Sequence, residues 1–169
     1  MAKAAPQIWL GHGASGGPET MALYITRLKK LGFDARALTL PRGSADRALQ
    51  PLRNQVGDSL SRAVIGGHSF GGRVASMVAA ETPPAGLVLL SYPLHRPGHP
   101  EDLRTEHWKK IRCPVLLLSG DRDQFARIDL LEKEVKKLRH HELHVFPGMR
   151  HGLQKVADDV CERIAAFAG

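Results

Sequence analysis

The 169-residue chain has only two cysteines, Cys113 and Cys161. They stand far apart and in no metal-type spacing, so a disulfide-stapled scaffold and a cysteine-based zinc site are excluded, and two buried thiols are expected. Aromatic residues make up 5% of the chain, too few for the stacking platforms that bind single-stranded nucleic acid. The longest apolar runs, Val115 to Leu118 and Gly86 to Leu90, fall far short of the ~20 residues that cross a bilayer, so no membrane role is expected. Near the start only Ile8 to Leu10 is apolar; no secretory leader is expected, and the expected location is cytoplasmic. There is no internal repeat and no block of one charge sign. The net charge of +7 is spread along the chain, with Lys29, Lys30, Lys109, Lys110 and Arg112 at expected helix ends or loops, and Lys133, Lys136, Lys137 and Arg139 interleaved with Glu132 and Glu134. Such dispersion fits solvated faces and helix C-termini rather than a nucleic-acid footprint.

What is present is an ordinary globular composition, 43% hydrophobic and 24% charged. A domain of this length buries roughly 70% of its unfolded surface, enough for one core, and residues 1–169 are expected to form one domain. Short apolar runs alternate with segments of helical period. Strands are predicted near 7–11, 34–39, 62–66, 86–91, 113–119 and 142–146. The best marked helix has Pro18 and Glu19 in its first turn, Met21, Tyr24, Ile25, Leu28 and Leu31 on one face, and Gly32 as its stop. Further helices are predicted over 70–81, 124–139 and 153–168, with others between 44 and 60 and near 104–110. Strands alternating with crossover helices imply an α/β fold, a parallel sheet covered on both faces, with the chemistry at the C-terminal strand ends.

Gly67-His68-Ser69-Phe70-Gly71 follows an apolar strand and opens a helix. This is G-x-S-x-G in the strand-to-helix context it requires: a serine on a sharp turn needs neighbours without side chains so that its hydroxyl projects into a cleft. The alternative is a glycine-rich turn with a capping serine. A serine hydroxyl is a poor nucleophile without a base, and the base needs an orienting carboxylate, so an acid and then a histidine should follow. Asp121 and Asp123 stand just past the fifth predicted strand, and His151 just past the sixth. His140, His141 and His144 do not make a metal site, because 141 and 144 of one strand point to opposite faces and no carboxylates accompany them. No metal or cofactor is expected. His12 and His68 flank the presumed centre and are candidates to face substrate.

Gly11-His12-Gly13-Ala14-Ser15-Gly16 satisfies two motifs. Read as G-x-G-x-x-G, it needs an acidic residue at the end of the next strand, and Ala37-Leu38-Thr39-Leu40-Pro41 has none. Read as a His-Gly loop, it supplies a backbone N–H that joins the one after the nucleophile in an oxyanion hole; by position these are Ala14 and Phe70. The serine, acid and histidine favour the second reading.

These residues resemble the α/β-hydrolase superfamily, and within it the dienelactone-hydrolase-related branch. The resemblance rests on Leu10 to Ala14, Gly67 to Arg73, Ser91-Tyr92-Pro93-Leu94-His95-Arg96-Pro97-Gly98, Gly120 to Asp123, and His151. It implies a minimal α/β-hydrolase fold with a six-stranded parallel sheet ordered 2-1-3-4-5-6, a catalytic Ser69, Asp123 and His151, and Asp121 as the reserve acid. The implied activity is a serine hydrolase cleaving a small ester or thioester through an acyl-enzyme. Authentic dienelactone hydrolases use cysteine where this chain has Ser69, so their substrate does not transfer. No large lid is expected. Only residues 92–112 could overhang the pocket, with Tyr92 a candidate substrate contact. Two rivals stand: an interaction subunit without catalysis, as in a chromatin-modifying complex that includes a relative, and an acyltransferase using the same residues. A protein partner or an oligomer is left open.

Overall fold

Along the strands, successive side chains divide between two separate cores, as a parallel sheet covered on both faces requires. In the computed structural model, which describes residues 4–169, β1 (Ile8–Gly11), β2 (Ala35–Leu38), β3 (Val64–His68), β4 (Gly86–Leu90), β5 (Val115–Gly120) and β6 (His141–Phe146) form one parallel sheet in the order β2-β1-β3-β4-β5-β6. The expected strand order and class are therefore observed. Leu87, Leu89, Val115 and Leu117 enter one core, and Val88, Leu90, Leu116 and Leu118 the other. All eight are buried, each contributing about 1.5–3 kcal/mol relative to exposure.

The second face is covered by α1 (Ala22–Lys30) and α5 (Ala157–Ala168), through Tyr24, Ile25, Leu28, Val160 and Ile164. The first face carries α2 (Asp46–Val56), α3 (Phe70–Glu81) and α4 (Ile128–Glu134), together with the connection after β4 that includes Tyr92, Leu94 and Trp108. Both thiols, Cys113 and Cys161, are buried and unpaired, and burial pushes each up to about 11. No helix among the described residues is long and apolar enough to cross a membrane.

Two of the boundaries that differ from expectation bear on the site. β3 runs on through Gly67 and His68, because its glycines let neighbouring backbones close in: a Cβ on Gly66 would stand 2.0 Å from the Val88 carbonyl oxygen. The helix expected over 124–139 starts only at Ile128 and ends in a 3-10 turn, Val135–Lys137. Its intended first turn is diverted: the Asp123 carboxylate accepts the Phe125 N–H at 2.8 Å, the His95 ring accepts the Arg127 N–H at 3.0 Å, and Arg127 is extended (φ −58, ψ 124).

Candidate active site

Ser69 stands between β3 and α3 with φ 49 and ψ −115, a left-handed backbone that a non-glycine residue adopts only where its surroundings enforce it. They do so here through missing side chains. A Cβ on Gly71 would meet the Gly11 carbonyl oxygen at 2.3 Å, so α3 lies directly on β1 and leaves the elbow no room to relax. The Ser69 N–H is held by the Leu90 carbonyl at 2.9 Å.

The three residues expected to act together meet at the C-terminal ends of β3, β5 and β6. The Ser69 hydroxyl donates to His151 Nε2 at 2.7 Å, and His151 Nδ1–H donates to both Asp123 oxygens, each at 2.9 Å. A carboxylate only accepts, so the proton sits on Nδ1, which leaves Nε2 with the lone pair facing the hydroxyl. The Asp123 side chain is fully buried, while that of His151 is 23% exposed: the acid is sealed and the base is open. Phe125 lies against the His151 ring with centroids 4.2 Å apart. The arrangement can take the Ser69 proton and stabilise the resulting imidazolium.

Asp121 sits elsewhere. Exposed, it accepts the Gly148 N–H at 2.7 Å and so shapes the loop that carries His151. Gly120 lets that loop close down, since a Cβ there would be 2.0 Å from the Met149 carbonyl oxygen.

On the opposite flank, Gly11 pairs with Gly67 in parallel register, so residues 12–14 leave β1 beside residues 68–70 leaving β3. The segments that carry Ala14 and Phe70 thus leave neighbouring strands side by side. Phe70 opens α3, where the first N–H groups have no partner within the helix. His68 flanks the centre as expected: half-buried, its ring is 5.1 Å from that of His151. Burial first, and the neighbouring His151 second, push its pKa down to about 4 against a smaller pull from Asp123, so it is neutral at physiological pH.

Two expected substrate contacts are corrected. Tyr92 is buried, donates its hydroxyl to the Arg104 carbonyl at 2.6 Å and meets Trp108 edge-on, so it ties the connection together and faces no cleft. His12 is also buried: its Nδ1–H donates to the Gly13 carbonyl at 2.8 Å, and its Nε2 accepts the Leu40 N–H at 3.0 Å. Both ring nitrogens are occupied in holding the loop. Sequence reasoning names His95 only within the Ser91–Gly98 motif, with no role, and passes over Phe125, whose signal is an apolar residue in a polar loop. No cluster of three or more metal-ligating side chains occurs among the described residues.

Residues 43–163 match the model of the alpha/beta hydrolase domain. The chain belongs to this family. Similar solved structures include a monoacylglycerol lipase from Paleococcus ferrophilus (TM-score 0.83, 16% identity, 98% of this chain and 95% of that one) and a predicted CIB-like hydrolase from Thermoplasma acidophilum (TM-score 0.77, 20% identity, 96% and 85%). Est1E from Butyrivibrio proteoclasticus, seen with ferulic acid, aligns at TM-score 0.75 with 17% identity over 95% of this α/β-hydrolase and 88% of that chain. At these identities the likeness is one of fold. A curated relative, the non-heme chloroperoxidase of Burkholderia pyrrocinia, is 40% identical over 58 residues, which span 34% of this chain and only 21% of that protein.

Proposed function

We propose that this α/β-hydrolase is a serine hydrolase that cleaves a small ester or thioester. Ser69 attacks the carbonyl as His151 Nε2 takes its proton; Asp123 orients His151; the Ala14 and Phe70 amides hold the oxyanion. Collapse of the tetrahedral intermediate returns the proton through His151 to the leaving alcohol or thiol, and water repeats the sequence on the acyl-enzyme. The observation that carries this reading is the unbroken hydrogen-bond chain from Ser69 through His151 to Asp123, with every donor and acceptor in the required sense.

The substrate class rests on the connection after β4, the one segment among the described residues long enough to overhang the centre. The connection after β4 is packed onto the fold by Tyr92, Leu94 and Trp108, leaving little apolar wall to surround a long acyl chain. Short acyl groups are therefore favoured, and kcat/KM on aryl esters should fall from acetyl or butyryl toward decanoyl.

Labelling with a fluorophosphonate tests the chemistry directly. The protein should be modified at Ser69, with the label lost in Ser69→Ala. An unlabelled wild type, beside a labelled control hydrolase, would overturn the enzyme reading in favour of an interaction role.

A further inference from the structure

The mechanism above leaves one fully engaged, buried side chain at the acid flank without a part. His95 is 3% exposed, in the connection after β4. Its backbone N–H donates to the Phe125 carbonyl at 3.0 Å, its Nε2 accepts the Arg127 N–H at 3.0 Å, and its Nδ1–H donates to the Arg96 carbonyl at 2.8 Å. It thus bonds to two points of the turn running from Asp123 to Arg127. The first of those points, Phe125, does two things for the site: its N–H is bonded to Asp123 Oδ1, and its ring packs on the His151 ring.

We infer that His95 is a positioning residue for the acid and base of the hydrolase reaction, acting through the 123–127 turn; the inference rests on the function proposed above. Apart from His95 and the buried Ala126 and Asp123 side chains, the turn is held mainly by its own main-chain bonds. The Ala126 N–H returns to the Asp123 carbonyl within the turn itself, and Gln124 is exposed. Without the His95 acceptor, the Arg127 N–H is freed at the point where a continuing helix would take it up. Extending α4 backward would draw the Phe125 amide off the carboxylate and the Phe125 ring off His151. The Nε2 acceptor is available only in the neutral tautomer with the proton on Nδ1, which the Arg96 carbonyl fixes.

The test compares His95→Ala with His95→Gln, whose side-chain oxygen keeps an acceptor for the Arg127 N–H, and with Thr105→Val. Thr105 lies in the same connection and donates to the buried Glu134, away from the turn, so its loss lowers stability without touching the site. On a short aryl ester, His95→Ala should lower kcat about 10- to 100-fold with KM within about twofold of wild type, the pattern of misplaced groups rather than lost binding. His95→Gln should recover most of this, and Thr105→Val should keep wild-type kcat while melting lower. A second readout needs no turnover: the downfield proton resonance of His151 Nδ1–H should be present in the wild type and in His95→Gln, and shifted or lost to exchange in His95→Ala. Wild-type kcat in His95→Ala, a change confined to KM, an unmoved resonance in that variant, or a wild type without the resonance would each overturn the inference. Should His95→Ala fail to fold, His95→Asn, which keeps a donor but draws the acceptor out of reach of Arg127, must show the same loss. A wild type that turns over no ester, yet has a resonance sensitive to His95, would retire the hydrolase reading and leave the positioning role standing.

Discussion

Two loops flank Ser69, and a buried histidine holds each in the same way. On the β1 side His12 gives its Nδ1 proton to the next residue's carbonyl and accepts the Leu40 amide; on the β4 side His95 gives its proton to the Arg96 carbonyl and accepts the Arg127 amide. What they hold differs. The β1 loop is shaped by side chains that are missing: Gly11 and Gly71 let backbone lie on backbone, and Gly13 lies close against the His68 ring. The acid flank also uses a missing side chain, at Gly120. Its acid and base, though, are placed by hydrogen bonds: those of His95 to Arg127 and of His151 to Asp123 join residues distant in sequence and converge on a carboxylate fully shut off from solvent. A flank made by absence shows in the sequence as glycine spacing. One made by long-range bonds does not.

Substituting the two acids gives the largest expected contrast. Asp123→Asn should cut kcat about 10⁴-fold, because an amide at that place stabilises the wrong imidazole tautomer. Asp121→Asn keeps an oxygen for the Gly148 N–H and should stay close to wild type; equal losses would erase the distinction between sealed and exposed acid. Next in size are the close approaches. Gly120→Ala and Gly71→Ala each put a methyl against backbone, at 2.0 and 2.3 Å, and should each lose about 3 kcal/mol in urea unfolding. Both should also lose fluorophosphonate labelling among whatever molecules remain folded, Gly120→Ala by displacing the loop that carries His151 and Gly71→Ala by displacing the turn that carries Ser69.

His12→Ala probes the β1 flank alone. Deleting an oxyanion donor outright costs about 10²–10³-fold, and loosening the loop that carries Ala14 should cost about 10- to 100-fold in kcat while leaving the His151 Nδ1–H resonance in place. A moved resonance would mean that the two flanks are one mechanical unit. The smallest effect concerns stability. His68 has a folded pKa of about 4 against 6.5 for the ordinary side chain, so between those values the unfolded chain binds the extra proton and stability falls as pH falls. The loss should be about 2 kcal/mol from pH 7 to pH 5. His68→Gln should flatten that part of the unfolding profile, measured with urea at both pH values.

The sheet was legible because its signals are local. Val115 to Leu118 and Gly86 to Leu90 are buried on both faces and read as unbroken apolar runs. Ser69, Asp123 and His151 were legible because each stands just past a strand, in the order that an activated serine of this strand-to-helix type calls for. Tyr92 and His12 misled for one reason: a polar tip near a presumed centre reads as a contact, and nothing local reveals that a distant amide or carbonyl has claimed it. The start of α4 was misplaced likewise, since the amides withheld from its first turn are taken by His95 and by Asp123 itself.

The pinned connection after β4 bears on how long an acylated Ser69 would survive. Tyr92 is locked to Arg104, Leu94 to Arg104 through the main chain, and Thr105 to Glu134, so both ends of the segment are tied to the fold. The base beside it stays partly open to solvent. An acyl group on Ser69 would therefore meet water from the moment the first leaving group departed. On the function proposed above, a tied-down connection and a base open to solvent would favour hydrolysis over transfer to a scarce acceptor, because such transfer needs water shut out.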